Sequence, residues 1–292
     1  MTEDETRKLG IAGGDQGHNE KQTVSLPGSR ALKAGSFRSE NDGGDCFRIS
    51  VYDGEGFSEK DERIIREIPL AVHLNDRKII TIACAGLHVE ELAVGFLRSE
   101  GFLRIREDVA AVEVSPDRTQ VRIRTAAGRE IPDPETTAGR TLASSGARGF
   151  GGPAAESPEE PLSGRFTVAP EAVLDLMERF LGQARLHEET GGTHAAALAR
   201  NGEILVVRED IGRHNTIDML GGYALLHGVD CRDAVIFRTG RVSSEIVHKI
   251  WRLGVPWVCS LSVPTTQAVE IARAAGITLI GSVRRGRMKI YS

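Results

Sequence analysis

Phe47, Ile49 and Val51 alternate with Arg48 and Ser50, a two-residue period that predicts a half-buried strand. A second alternation, Ile68, Leu70, Val72 and Leu74, meets the polar run Asn75–Asp76–Arg77 and resumes at Ile80 and Ile82, which predicts a hairpin. The period then changes. Val89, Leu92, Ala93 and Phe96 recur at three- and four-residue spacing, with Glu90 and Glu91 early and Arg98 late, so a helix whose dipole is complemented at both ends is predicted. Another hairpin follows over residues 111–125, turning at Pro116 and Asp117. Residues 46–125 therefore form a small α+β subdomain.

The later pattern is cleaner. Pro170 opens a helix with Val173, Leu174, Met177, Phe180 and Leu181 on one face. The stretch THAAALARNGEILVVRED predicts two strands about a primed turn at Asn201 and Gly202. A helix over 214–227, a strand AVIFRT, a helix over 243–253, a strand WVCSLS, a helix over 265–275 and strands in ITLIGSV and MKIYS follow. This order predicts an α/β domain over 165–292, a mixed sheet with right-handed crossovers and helices on both faces. In such sheets ligands gather beyond the carboxyl ends of the strands.

Two segments lack any period. Residues 1–45 mix Gly, Ser and charged groups with few large apolar ones, and are expected to be a disordered tail. Residues 126–164 are punctuated by Pro132, Pro134, Pro153, Pro158 and Pro161 and far exceed the ~12 to 15 residues of a plain connector, so a long functional loop is expected. Inside it RTLASSGARGFGG, residues 140–152, has the Gly and Ser of a loop that brings backbone close to a reacting group. It holds no Cys, His, Asp or Glu.

Composition narrows the function. With 40% hydrophobic and 27% charged residues and a net charge of -4, general nucleic-acid binding is not expected. No acidic residue follows Glu270, whereas Arg273, Arg284, Arg285, Arg287 and Lys289 do, so the C-terminus is a basic patch. Cys46, Cys84, Cys231 and Cys259 show no CxxC spacing, which argues against a disulfide scaffold and against zinc. No run of 18 apolar residues and no leader-like apolar segment is present, so neither membrane insertion nor secretion is expected, and a cytoplasmic location is.

Candidate chemistry clusters at predicted strand ends. In ETGGTHAAAL a Gly pair leads onto a strand and His194; a tight turn with an ordinary imidazole is as consistent as a site. In REDIGRHNTID a helix cap accounts for Asp210 or Asn215 and an ion pair with Glu209 for Arg208, but Arg213 and His214 at a strand's carboxyl end suit an anion. In RTGRVSSEIVHK the turn at Gly240, Arg241 and the hydroxyls of Ser243 and Ser244 suit a phosphate, while capping alone explains the serines. Thr265 and Thr266 in SVPTTQAVEIA read as plain caps. In GSVRRGRMKIYS three arginines surround Gly286, forming either a solvated hairpin or a nucleotide phosphate site.

The order of elements resembles the cytidine deaminase fold. Ala196, two places after His194, stands where deaminases carry their catalytic Glu, and no PCxxC motif follows, so deaminase chemistry is not expected. TGGTHAAAL, REDIGRHNTIDMLGGYAL, GRVSSEIVHK, VPTTQAVEIARAAGITLIG and RRGRMKIY, in this order, together with EELAVGFLRSEGFL, resemble the FdhD family over nearly everything from Phe47 to Ser292. The resemblance implies a cytoplasmic homodimer that accepts sulfur from a cysteine desulfurase. It further implies delivery of that sulfur to Mo-bis(molybdopterin guanine dinucleotide) before this cofactor enters formate dehydrogenase. The family's cofactor-contacting segment matches Ser282, Val283, Arg284, Arg285, Gly286 and Arg287; His194, Arg213, His214 and Arg241 are added to it by their position at strand ends.

The same resemblance implies a CGxCG motif in the long loop, whose cysteines would carry a persulfide. Here the motif reads SGARG, with Ser145 and Arg148 at the cysteine positions. A serine hydroxyl holds no labile sulfur, and Arg has no nucleophile. Three accounts follow: Cys84 or Cys259 substitutes as the sulfur carrier, the chain holds or escorts the cofactor without moving sulfur, or Ser145 serves an unrelated hydrolase with a His partner. The last lacks a strained nucleophile elbow and an evident acid.

Overall fold

The computed structural model describes residues 43–127, 141–142, 161–162 and 169–292. The expected tail therefore falls almost wholly outside the described residues, as does most of the long loop. Strands β1 (Gly44–Tyr52) and β2 (Phe57–Ile65) pair antiparallel as a separate ribbon. Its second strand, FSEKDERII, is polar along most of its length because both faces meet water, and so it shows no hydrophobic period. The predicted hairpins are β3 (Ile68–Leu74) with β4 (Arg77–Cys84), and β5 (Val109–Val114) with β6 (Gln120–Thr125). With β7 (Thr141–Leu142) they form a five-stranded sheet in the order β5-β6-β3-β4-β7. Helix α1 (Val89–Ser99) buries Leu92, Phe96 and Leu97 against Leu70, Val72, Ile80 and Val121 of that sheet.

The second layer contains α2 (Pro170–Leu181), α3 (Arg185–Thr190), β8 (His194–Arg200), β9 (Glu203–Asp210), α4 (Asn215–Leu226) and β10 (Ala234–Arg238). It continues through α5 (Ser244–Leu253), β11 (Trp257–Ser260), α6 (Thr266–Ala274), β12 (Thr278–Arg284) and β13 (Arg287–Ile290). Its six strands run β13-β12-β11-β10-β8-β9, with β10, β11 and β12 parallel and the other pairs antiparallel. This is the mixed sheet expected of a cytidine deaminase-like domain, and its helices do lie on both faces. Alternation along β8 shows why: Ala195, Ala197 and Ala199 face Val173, Met177 and Phe180 of α2, while Ala196 and Leu198 face Ile217, Ile246 and Ala268 of α4, α5 and α6. Among the described residues no helix is long and apolar enough to cross a membrane.

Helices α1 and α4 join the two layers, with Met219 and Leu225 of α4 entering the core of the five-stranded sheet. They cross at backbone contact. A Cβ on Gly95 would stand 1.7 Å from the Asp218 carbonyl oxygen, and one on Gly222 would stand 1.9 Å from that of Glu91. Across the same seam Arg208 forks onto the Glu91 carboxylate, and Ser99 of α1 donates to Asp218 and accepts from Lys249, which also donates to both oxygens of Asp218.

Candidate functional site

Parallel strands β10, β11 and β12 all end at one rim of the six-stranded sheet, and antiparallel β8 begins there. Ala196, Arg238 and Ser260 stand level across three strands. Beyond them the Thr239 N–H donates to the Ala195 carbonyl at 3.0 Å, and the Ala195 N–H donates to Thr239 Oγ1 at 3.1 Å. This ties the start of β8, with His194, to the turn after β10. Gly240 in that turn is needed: a Cβ there would lie 3.1 Å from both Arg238 Nη2 and His194 Nδ1, with the Arg213 side chain 3.5 Å away.

The rim thus gathers His194 and Arg213 around Arg238, the first residue of RTGRVSSEIVHK, which the motif reading does not single out. Arg238 is 1% exposed, and its Nε and Nη1 have no hydrogen-bond partner. A guanidinium closing an otherwise apolar five-residue strand was the available signal; read alone it marks a strand end. Burial, and then Arg213, lowers the Arg238 pKa to about 9. Burial also lowers that of His194, helped by Arg238, Arg213 and His187. His214 joins the same field and is depressed to about 3 by burial and by Lys249, Arg213, Arg238 and His194, although Glu245 Oε2 lies 3.1 Å from its Nε2. Both imidazoles are therefore neutral near pH 7. Thr193 Oγ1, Arg213 Nε and Ser243 Oγ are further buried polar atoms without a partner.

The Ser282–Arg287 bend rises from the same rim. Ser282 has φ 54, and the ladder between β12 and β13 shifts register between Gly281 and Arg284. That irregularity returns Val283 to the face of Ile280, where it packs fully buried with Phe180 and Phe237. Val283 thus anchors the bend and faces the core, whereas a ligand-contacting role was expected of it. Arg285 (φ 53) and Gly286 (φ 68) form the two-residue turn between paired Arg284 and Arg287, and all three arginines are exposed. The Ser282 N–H donates to Ser262 O at 2.9 Å, the Ser262 N–H to Ser260 Oγ at 3.1 Å, and the Ser260 hydroxyl to Gly240 O at 2.8 Å. Bend and Gly240 corner are so linked, with β12 and β8 three strand spacings, ~14 Å, apart. Arg241 is exposed beside Gly240.

Other predicted residues hold the structure. Arg208 pairs with Glu91, and not with its neighbour Glu209, whose carboxylate accepts the N–H groups of Leu186 and His187 at the start of α3. Asp210 is wholly buried and accepts from the N–H groups of Ala85 and Gly212 and from Asn215 Nδ2, which also donates to Ala83 O. These bonds pin the end of β9 to the end of β4. Thr265 caps α6 by accepting from the Ala268 N–H.

Cys84 and Cys259 do not fit a sulfur-carrying role. Both are 0% exposed; burial pushes the Cys84 thiol up to about 12 and raises that of Cys259 as well. The thiolate that would accept sulfur is thus suppressed. Cys231 is also buried, and Cys46, on the β1 ribbon, is exposed. Ser145 and Arg148 lie outside the described residues. Leu142, shortly before them, pairs in parallel with Ile82 of β4, the strand whose following residue Ala85 bonds Asp210, directly across from His194.

The sequence profile of the FdhD/NarQ family matches residues 65–292. The sulfur carrier protein FdhD of Halalkalibacterium halodurans is 35% identical over 250 residues, 84% of this chain and 91% of that protein. The Bacillus subtilis protein of the same name is 34% identical over 248 residues, covering 82% and 92%. A crystal structure of a proposed formate dehydrogenase accessory protein from Desulfotalea psychrophila aligns with a TM-score of 0.68 and 25% identity, over 85% of this chain and 96% of that one.

Proposed function

Since the chain belongs to the FdhD/NarQ family, we propose that it serves formate dehydrogenase by holding Mo-bis(molybdopterin guanine dinucleotide) at the carboxyl rim, and that it moves no sulfur on a thiol of its own. The observation that supports this is the sorting of groups at the rim. Guanidinium, hydroxyl and imidazole groups collect there, while Cys84 and Cys259 are sealed in the core. Such donors suit the phosphate oxygens of a dinucleotide cargo, and Arg forks bind phosphate bidentately. Glu245, beside His214, is the carboxylate at the edge of the cluster. The competing reading keeps a cysteine desulfurase as sulfur donor and needs an accessible acceptor thiol.

GDP, carrying the guanine nucleotide end of the cargo, tests the first part. Calorimetry on the purified chain is expected to show GDP binding that weakens at least tenfold, about 1.4 kcal/mol, when Arg285→Ala and Arg287→Ala are combined. An unchanged affinity would remove the bend from the site. The second part is tested by incubation with a cysteine desulfurase and cysteine, then alkylation and mass spectrometry. In the wild-type chain no thiol, exposed Cys46 included, is expected to gain a sulfur atom, and a persulfide on Cys46 would overturn the second part. A persulfide on Cys84 or Cys259 would restore the transferase reading.

A further inference from the structure

Arg238 closes β10, a strand buried at all five positions, and two of its nitrogens face no acceptor. A guanidinium stays charged in a protein, so leaving its donors dry and unpaired is strongly unfavourable unless something anionic reaches them. Among the described residues its surroundings supply no such group. Gly240 brings Arg238 Nη2 and His194 Nδ1 to one spot, Arg213 stands beside them, and none of these three side chains carries negative charge. Thr193 Oγ1, next to His194, is buried without a partner, as is Ser243 Oγ, three residues past Gly240. Glu245 approaches His214 and leaves Arg238 uncompensated.

We propose that Arg238, with Arg213 and His194 around Gly240, forms a closed subsite for one tetrahedral oxyanion of phosphate type, separate from the exposed Arg284–Arg287 bend. The unpartnered N–H donors of Arg238, with the Arg213 guanidinium beside them, match a phosphate group in charge. The subsite stands on the Arg238 geometry; only the origin of its phosphate, as part of the nucleotide cargo, rests on the function proposed above.

Inorganic phosphate is the probe, added to the full chain in phosphate-free buffer with chloride at matched ionic strength as the reference. Wild-type Tm is expected to rise with phosphate and not with chloride. Arg238→Met is expected to raise Tm in phosphate-free buffer, because a buried unpaired charge is gone, and to weaken phosphate binding at least tenfold in calorimetry. Gly240→Ala crowds both nitrogens and is expected to weaken phosphate binding similarly; it decides the matter should Arg238→Met not fold. A wild-type chain indifferent to phosphate, or an Arg238→Met variant that keeps the full response, overturns the subsite. GDP that displaces phosphate identifies the nucleotide as the source, whereas simultaneous binding identifies free phosphate, and both results uphold the subsite. Phosphate binding that depends on Arg238 in a chain indifferent to GDP would sink the cargo reading and leave the subsite intact.

Discussion

Gly95→Ala and Gly222→Ala are each expected to lower stability by about 3 kcal/mol or more, the upper end of overpacking effects. The added methyl would sit 1.7 Å from the Asp218 carbonyl oxygen in one case and 1.9 Å from the Glu91 carbonyl oxygen in the other. Both obstacles are helix backbone, which cannot rotate aside as a side chain can. The helices must separate, and a closely packed interior does not recover its contacts after such a shift. Met219 and Leu225 would withdraw from the core of the five-stranded sheet, and the Arg208–Glu91 pair and the Ser99–Asp218 and Lys249–Ser99 hydrogen bonds that span the seam would be strained. Because either methyl alone forces the separation, the double variant is expected to cost clearly less than the sum of the two. Urea denaturation measures all three; a wild-type midpoint for either single variant contradicts the close crossing. Since α4 starts directly after Arg213 and His214, the same variants are also expected to weaken GDP binding.

Asp210→Ala is expected to cost roughly 3 to 5 kcal/mol, because it strands several buried donors at once. The carboxylate accepts from Ala85 N at 2.8 Å, Gly212 N at 2.9 Å and Asn215 Nδ2 at 2.6 Å, and none of these groups has water at hand to replace it. Burial holds the Asp210 pKa up at about 6, against the pull of those three donors, so the site trades solvation for a fixed geometry. The amide variant does not rescue it. Oδ1 and Oδ2 both face N–H groups, so Asp210→Asn turns an NH2 toward a donor and is expected to destabilise nearly as much. Hydrogen exchange adds a directional readout: protection at the ends of β4 and β9 should fall before that of β10 and β11. Equal loss across both sheets would mean that Asp210 does not pin one layer to the other.

Local periods were enough to place most elements. The three- and four-residue spacing of α1, the alternation of β3 with β4, and the Asn201–Gly202 turn between β8 and β9 depend on residues only a few positions apart, so the chain itself displays them. The alternation of helices and strands after Pro170 likewise specified a mixed sheet with a rim at its carboxyl ends, and the TGGTH, REDIGRH and SVRRGR motifs marked that rim. Polar β2 escaped detection because a ribbon wet on both faces has no apolar side to repeat. Gly95 looks like a weak helix position until Asp218, far along the chain, is laid against it. The same holds for the site. Sequence supplied His194, Arg213 and His214, but not Arg238, and it offered Val283 as a contact residue and Cys84 and Cys259 as possible carriers. Burial decided all four, and burial is set by strand neighbours and packed helices distant in sequence. The amino-acid pattern thus determined which elements form and at which rim the motifs meet, whereas only tertiary packing decided which charged group there is left without a counter-charge and which thiols are shut away.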